Sequence, residues 1–264
     1  MNLELAALHA PSRFPERADD DRPASGIHRA LDPKDYQHKS AEELIHWAAR
    51  EFGRGLVLSS SFGADSALML HLVQSIAPGI RVVFIDTGYL FPETYRFAEQ
   101  LRERFNLEIV TYGAKMSAAH QEALYGQLWE QGDEGIQRYL QLNKVEPMQR
   151  ALQELRVTAW LAGLRGNQTE HRQGLSKVGF QGSRVKIHPI LDWTKDQVED
   201  YFRTHDLPRH PLYAQGYKSI GDWHSTIPVP PGEDDRAGRF LGAKKECGLH
   251  LSADQNTSFS SSGL

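Results

Sequence analysis

Short apolar runs recur along the chain up to residue 191, and each is followed by a segment with helical spacing of its apolar residues. The runs lie at residues 55–61, 80–86, 107–112, 157–164 and 185–191. Runs this short, and this rich in Val, Ile and Leu, are typical of buried strands. The sequence therefore predicts five strands.

Segments with apolar residues three or four positions apart separate these runs. Helices are predicted at residues 41–52, 65–72, 92–105 and 194–205, with two or three more before about residue 155. Ser40 and Glu43 form a capping-box pattern at the first helix. Pro92 suits a first helical turn, and Thr194 can open the last helix. Alternating strands and helices indicate an α/β fold, a mostly parallel, doubly wound sheet with helices on both faces.

The two ends of the chain lack this regular pattern. Residues 1–38 mix Pro, Asp, Arg and Ser without periodicity, so we expect a mobile or loosely docked extension. Residues 39–235 would form the folded domain. Residues 236–264 would form a C-terminal tail, and its final residues, DQNTSFSSSGL, have a composition typical of disorder.

The bulk composition narrows the class of protein. Apolar residues make up 40% of the 264 residues and charged residues 24%, as in ordinary globular domains. A formal net charge of −4 argues against general nucleic-acid binding. We expect neither a membrane span nor a secretory signal. One cysteine excludes an internal disulfide and a Cys-rich metal centre, so the cytoplasm is the expected compartment.

A loop rich in hydroxyl groups joins the first predicted strand to its helix. It reads SSSFGADS at residues 59–66. In a doubly wound sheet, such a loop presents backbone N–H groups and the positive end of a helix dipole, which suit phosphate or sulfate oxygens. It is not a Walker A loop, because no Gly-Lys-Ser/Thr follows. A helix cap made by Ser and Asp is the other interpretation of the same residues.

The only cysteine of the chain, Cys247, lies near the C-terminus in the sequence RFLGAKKECGLH. A lone cysteine is more often a buried apolar residue than a nucleophile. Here the neighbouring Lys244, Lys245 and His250 would favour the thiolate, whereas Glu246 would oppose it. The segment also precedes an end with a composition typical of disorder, which is compatible with a swinging tail.

The spacing of the hydroxyl-rich loop resembles that of a known nucleotide-binding loop. Ser61-x-Gly63-x-Asp65-Ser66 is similar to the SGGxDS loop of adenine nucleotide α-hydrolases, with Phe62 in place of one glycine. That superfamily includes ATP pyrophosphatases, ATP sulfurylase small subunits and phosphoadenylyl-sulfate (PAPS) reductases. The loop alone does not choose among them.

Further motifs resemble the PAPS reductases in particular. The first is TGYLFPET at residues 87–94. LYGQLWEQG, NKVEPMQRAL, WLAGLRGNQTEHR, HPILDW, GYKSIGDWHST and KKECGLH follow in the order of that family. The resemblance covers roughly residues 41–250 and implies the fold of the adenine nucleotide α-hydrolases.

A protein of negative net charge needs localised cations to hold the several anionic groups of PAPS, and the planar fork of Arg suits phosphate. Arg236 and Arg239 are three residues apart, so one helical turn would place both on one face. Arg172 and Lys186 are weaker candidates. The substrate-binding residues implied by the resemblance are Ser59, Ser60, Ser61, Phe62, Gly63, Asp65, Ser66, Asp86, Thr87, Gly88, Lys144, Gly163, Arg165, Arg236 and Arg239.

The resemblance also implies a mechanism. The loop at 59–66 would hold the phosphosulfate end of PAPS, and residues 86–88 would lie beside the adenosine. Cys247 would attack the sulfur of PAPS, adenosine 3′,5′-bisphosphate would leave, and an S-sulfocysteine would remain. Thioredoxin or glutaredoxin would then release sulfite, and His250 could assist by charge, by hydrogen bonding or by docking the tail. The family suggests a homodimer.

Adenylyl-sulfate (APS) reductases differ from this pattern by carrying four cysteines that bind a [4Fe–4S] cluster. The corresponding regions here read YLQLNK at residues 139–144 and DWHS at residues 222–225, without a cysteine. We therefore expect no iron–sulfur cluster and, from the family pattern, PAPS as the substrate. A cluster-free APS reductase stays open as an alternative.

Three other functions are compatible with parts of the sequence. An ATP pyrophosphatase or adenylyltransferase would share the fold but give Cys247 no role. A non-catalytic nucleotide-binding protein would leave the ECGLH motif unexplained. A metal hydrolase is the weakest alternative, because the histidines are scattered without a ligand spacing such as HExxH.

Overall fold

A computed structural model of the chain describes residues 31–230 and 232–239. The helices are α1 (Ala41–Phe52), α2 (Ser66–Ile76), α3 (Pro92–Phe105), α4 (Ala118–Tyr125), α5 (Gly132–Leu140), α6 (Glu146–Glu154), α7 (Glu170–Gln173) and α8 (Lys195–Thr204). The strands are β1 (Leu56–Ser60), β2 (Arg81–Asp86), β3 (Ile109–Gly113), β4 (Ala159–Ala162), β5 (Val178–Gln181) and β6 (Arg184–Ile187). A π-helical turn, Gln141–Val145, joins α5 to α6.

In the part of the chain that the structure describes, six strands form one sheet in the order β3-β2-β1-β4-β6-β5. All neighbouring strands are parallel except β5, which runs antiparallel to β6. The predicted α/β class and the mostly parallel sheet are therefore confirmed. The chain moves outward from β1 to β3 and then returns to β4 on the other side of β1. Ligands bind at such a reversal, outside the carboxyl ends of the strands.

The two faces of the sheet carry separate cores. Successive residues of a strand point to opposite faces of the sheet. Leu58 therefore packs against α1 and α2, whereas Val57 packs against α6 on the other face. Trp160 on β4 belongs with Val57, and Leu161 belongs with Leu58. Both faces are buried, which is why the strands read as continuous apolar runs.

The strand prediction needs two corrections at one edge of the sheet. Strand β5 was not predicted from the sequence; it is a short strand joined to β6 by a turn at Gly182, whose φ of 60° favours glycine. The predicted strand at 185–191 instead ends at Ile187. Pro189 cannot donate a hydrogen bond to a neighbouring strand, and the Leu191 N–H donates to the His188 carbonyl in a turn.

The predicted helix starts are confirmed. The Ser40 hydroxyl accepts from the Glu43 N–H at 3.1 Å, and the Glu43 carboxylate accepts from the Ser40 N–H at 2.7 Å. Pro92 is the first residue of α3, and Thr194 caps α8 with a second capping box. Within the described residues, no helix combines the length and the apolar character that a membrane crossing needs.

Candidate active site

A cavity of about 250 Å³ opens at the carboxyl ends of β1 and β4, where the strand order reverses. Loops that are far apart in sequence meet there, because β1 and β4 are neighbours in the sheet. Most of the sequence-predicted substrate residues line it: Ser59, Ser60, Ser61, Gly63, Asp65, Ser66, Thr87, Lys144, Gly163, Arg165, Arg236 and Arg239.

The loop after β1 turns sharply and delivers its hydroxyl groups and the N-terminus of α2 to this cavity. Phe62 occupies the turn with a φ of 49°, and its N–H donates to the Ser60 hydroxyl at 3.1 Å. Asp65 is the N-cap residue of α2, yet its side chain accepts no capping hydrogen bond. The loop is therefore more than a helix cap.

Asp65 instead binds two guanidinium groups. Its carboxylate lies 2.6 Å from Arg165, which follows β4, and 2.6 Å from Arg209, which follows α8. Arg209 also pairs with Glu199 at 2.7 Å. This network fixes Arg165, which is almost fully buried, at the wall of the cavity.

Lys144 reaches the cavity from the π-helical turn between α5 and α6. A π turn is wider than an α turn and is frequent at functional sites. Lys144 is only 7% exposed, and its ammonium group lies 2.5 Å from the carboxylate of Asp222. The Thr87 hydroxyl donates to the same carboxylate at 2.6 Å. Burial alone would raise the pKa of Asp222, but Lys144 and Thr87 outweigh it and hold the pKa below its usual value.

Arg236 and Arg239 both line the cavity, but not from a helix as the sequence analysis expected. They lie in consecutive turns, in which the Arg239 N–H donates to the Arg236 carbonyl at 3.0 Å. Arg239 also forms a β-bridge with Thr226. Tertiary pairing, rather than helical periodicity, brings the two cations together.

The cavity is thus lined by loop hydroxyl groups, the N-terminus of α2 and several arginine and lysine side chains. Among the described residues, no group of three or more His, Cys, Asp or Glu side chains is arranged to hold a metal ion. The cavity suits a ligand that carries several phosphate or sulfate groups.

Comparison with known proteins identifies the family. The sequence model of the phosphoadenosine phosphosulfate reductase domain matches residues 55–228. This chain belongs to the phosphoadenosine phosphosulfate reductase family. The match separates it from the ATP pyrophosphatases and adenylyltransferases that the loop alone left open.

Named members of the reductase family are similar over most of the chain. A phosphoadenosine 5′-phosphosulfate reductase of Synechocystis sp. is 53% identical over 232 residues, which cover 86% of this chain and 93% of the relative. One of Synechococcus sp. is 54% identical, covering 81% of this chain and 93% of the relative. The crystal structure of the Candida auris PAPS reductase, a phosphate complex, matches with a TM-score of 0.65 and 32% identity, covering 74% of this chain and 94% of that one.

Three of the residues expected from the reductase motifs lie outside the cavity lining. The Phe62 side chain is fully buried and contacts Phe84, with ring centroids 4.9 Å apart. Asp86 accepts hydrogen bonds from the Gly88 N–H at 2.8 Å and from the Tyr95 hydroxyl at 2.6 Å, which close a turn after β2. Gly88 has a φ of 75°, which that turn requires.

Gly163 lines the cavity. A larger residue would not fit there, because a Cβ atom would lie 2.7 Å from Cγ of Met69. The two residues expected to carry the chemistry, Cys247 and His250, lie outside the described residues. Arg172, a weaker candidate in the sequence analysis, does line the cavity, whereas Lys186 packs over Trp160.

Several residues of the site, between positions 216 and 226, were not predicted from the sequence. Lys218, Ser219 and Gly221 line the cavity, and Asp222 lies directly behind Lys144. Their segment, GYKSIGDWHST, carried part of the family resemblance, but its Gly and aromatic residues predicted only irregular structure. Asp222 is recognisable as a site residue only once its long-range partners are known.

Proposed function

We propose that this protein reduces PAPS to sulfite and adenosine 3′,5′-bisphosphate as a step of assimilatory sulfate reduction. The Cys247 thiolate attacks the sulfur of PAPS, the bond from that sulfur to the phosphate oxygen breaks, and the bisphosphate leaves with the electron pair. An S-sulfocysteine remains on the enzyme. A thiolate of a dithiol protein then attacks Cys247 Sγ and displaces sulfite, and its second thiol resolves the mixed disulfide and restores Cys247.

One observation carries the proposal. A cavity lined by hydroxyl groups and cations lies at the reversal of the sheet in a chain more than half identical, over most of its length, to proteins named PAPS reductase. The Candida auris relative was crystallised as a phosphate complex, which agrees with an anion as the ligand of such a cavity.

In this proposal the loop at residues 59–66 holds the phosphosulfate end of the substrate, because it offers hydroxyl donors and the N-terminus of α2. Lys144, Arg165, Arg236 and Arg239 neutralise the anionic groups. The backbone between residues 86 and 88 borders the adenosine, with Thr87 reaching the cavity itself.

The reductant is thioredoxin or glutaredoxin. Cys247 is the only cysteine of the chain, so the two electrons must come from an outside dithiol. The tail at 236–264 carries this thiol, and His250 assists it. We further propose that the protein acts in the cytoplasm as a homodimer, without an iron–sulfur cluster and without binding to nucleic acid or membranes.

The test is to incubate the purified full-length protein with PAPS in the absence of any reductant and then determine its mass. We expect one sulfonate adduct, located by peptide mapping at Cys247 and removed by reduced thioredoxin or glutaredoxin. Cys247→Ser should acquire no adduct and produce no sulfite. Sulfite formation by Cys247→Ser at the wild-type rate would refute the mechanism.

The same assay with APS in place of PAPS decides the nucleotide preference. We expect a much higher kcat/KM for PAPS, because the cavity holds more cations than a single phosphosulfate group needs. Equal or faster turnover of APS would instead assign the protein to the cluster-free APS reductases.

A further inference from the structure

We propose that Gly221 and Asp222 are positioning residues that set Lys144 and Arg239 at the cavity wall. Neither residue belongs to the substrate-binding set expected from the motifs. The inference rests on the proposed function, because it concerns the cations that would hold the anionic groups of the nucleotide.

Asp222 is the acidic partner of one cation and lies near the other. It has no solvent exposure, and its two oxygens are used separately, one by Lys144 at 2.5 Å and one by Thr87 at 2.6 Å. The charge of Arg239 also lowers the pKa of this carboxyl group. Two buried cations at one cavity wall repel each other, and the negative charge of Asp222 offsets that repulsion.

Gly221 provides the space that Arg239 occupies. A Cβ atom at Gly221 would overlap the Arg239 guanidinium, so the guanidinium occupies the space that a side chain at Gly221 would fill. The guanidinium is the end of a flexible side chain and can move away without disturbing the backbone. Alanine at this position is therefore expected to displace Arg239 and leave the fold intact.

The arrangement links the cavity to the segment that follows it. The Arg239 backbone pairs with Thr226, on the same short loop as Gly221 and Asp222. Arg239 precedes Cys247 by eight positions (247 − 239 = 8). The loop at 221–226 thus contacts both the side chain and the backbone of Arg239, the last described residue before Cys247 in sequence.

The first test is a double-mutant cycle on the full-length protein, with adenosine 3′,5′-bisphosphate as the probe in calorimetry. Gly221→Ala should weaken binding about tenfold, roughly the worth of one charge-assisted hydrogen bond. Arg239→Ala should weaken it at least as much, and the double variant should be no weaker than Arg239→Ala. The matched control is Gly179→Ala on β5, where a Cβ meets open space. Wild-type affinity in Gly221→Ala, or additive losses in the double variant, would overturn the proposal for Gly221.

The second test concerns Asp222, whose alanine variant could fail to fold. Asp222→Asn keeps the shape and removes the charge, so its thermal unfolding and its kinetics can both be measured. We expect KM for PAPS to rise about tenfold or more, whereas kcat should change much less. In the double variant Lys144→Ala/Asp222→Asn, the rise in KM should be smaller than the combined effect of the two single changes. An Asp222→Asn variant that is only less stable, with wild-type KM, would show a merely structural role and overturn the proposal for Asp222.

The two proposals fail in different ways. If the wild-type protein neither binds the bisphosphate nor forms sulfite from PAPS, the proposed function is wrong and this inference falls with it. If the wild-type protein does both and the variants bind and turn over as it does, only the positioning role is wrong.

Discussion

At the scale of single residues, Phe62 shows how one position can serve the core and the site together. Its ring is fully buried against Phe84, while its backbone makes the turn that aims the hydroxyl-rich loop at the cavity. The φ of 49° belongs to the region that favours glycine, and the related nucleotide loops have glycine in this place. The backbone strain at Phe62 is offset by the burial of its aromatic ring.

This balance predicts an unusual order of stabilities at Phe62. Phe62→Ala should lower the free energy of unfolding by about 3–5 kcal/mol, because a buried phenyl ring is lost and the strained φ remains. Phe62→Gly should lose about 1 kcal/mol less, since glycine adopts this φ without strain. The measurement is urea unfolding at equilibrium.

The matched control is its neighbour Phe84, which lies in strand β2 and is not among the residues with positive φ. There glycine should be the worse replacement, because it loses more conformational entropy than alanine in a strand. If Phe62→Gly were also less stable than Phe62→Ala, the strain assigned to Phe62 would be wrong.

At the scale of elements, the π-helical turn Gln141–Val145 decides where Lys144 points. The turn is held from inside by a reciprocal amide pair, in which Asn143 and Gln121 of α4 exchange hydrogen bonds of 2.8 and 2.9 Å. Both side chains are buried, and Asn143 also donates to the Tyr139 carbonyl at 3.1 Å. Lys144 therefore takes its position from a polar contact between two helical segments.

The amide pair predicts a non-additive effect on stability. Asn143→Leu should lower the free energy of unfolding by about 2–3 kcal/mol, because the buried Oε1 of Gln121 loses its donor while Nε2 keeps only the Met116 carbonyl. The double variant Gln121→Leu/Asn143→Leu should recover part of this loss, since no amide is then left unpaired. Chemical denaturation of the two single variants and the double variant gives the coupling, and strictly additive losses would contradict the assignment.

At the scale of the whole molecule, a chain of net charge −4 concentrates buried cations in one cavity and keeps several histidines neutral elsewhere. Burial lowers the pKa of His188, of His210 and of His224 to about 4 each. His188 is 3% exposed, and its Nδ1 lies 2.9 Å from the Ser176 carbonyl. Between about pH 4 and pH 6.5, these three histidines therefore bind fewer protons in the folded protein than in the unfolded chain.

The sign of the resulting pH dependence is fixed. A histidine whose pKa falls from about 6.5 to about 4 on folding contributes its full stability above pH 6.5 and loses it as the pH falls from 6.5 through 4. For His188 the loss should reach about 3 kcal/mol by pH 4. Between pH 7 and 5, the free energy of unfolding of His188→Asn, measured in urea, should decline less steeply than that of the wild type.

The control is His120→Asn, at an exposed position, whose free energy of unfolding should follow the wild-type pH profile. An unchanged slope in His188→Asn would contradict the role assigned to His188.

Much of the fold was predictable because hydrophobic period is a local signal. Five of the six strands in the described residues were found in this way. Local motifs marked the starts of three helices, namely the capping boxes of α1 and α8 and the proline in the first turn of α3. Strand β5 was not predicted because its four residues, VGFQ, do not form an apolar run. Its Phe180 is exposed rather than part of a core. The π-helical turn was not predicted either, because its hydrogen-bond pattern produces no recognisable spacing of apolar residues in the sequence.

The candidate site was predictable in its motifs and not in its contacts. Motifs in the sequence pointed to Lys144 and Thr87, both of which line the cavity, but not to the Asp222 carboxylate that contacts both. Thr87 and Asp222 are 135 positions apart, and a lone Asp among Gly and aromatic residues predicts only a turn. Gly221 likewise carries no local sign that a guanidinium will lie against it.

The sequence by itself determined the α/β class, the hydroxyl-rich loop and the family, because each can be recognised from patterns or motifs of neighbouring residues. Only the tertiary structure decided which carboxylate accompanies each cation and why Gly221 has no side chain. The physical reason is that ion pairing and steric exclusion depend on distances of a few ångströms between segments, and the folding of the sheet sets these distances.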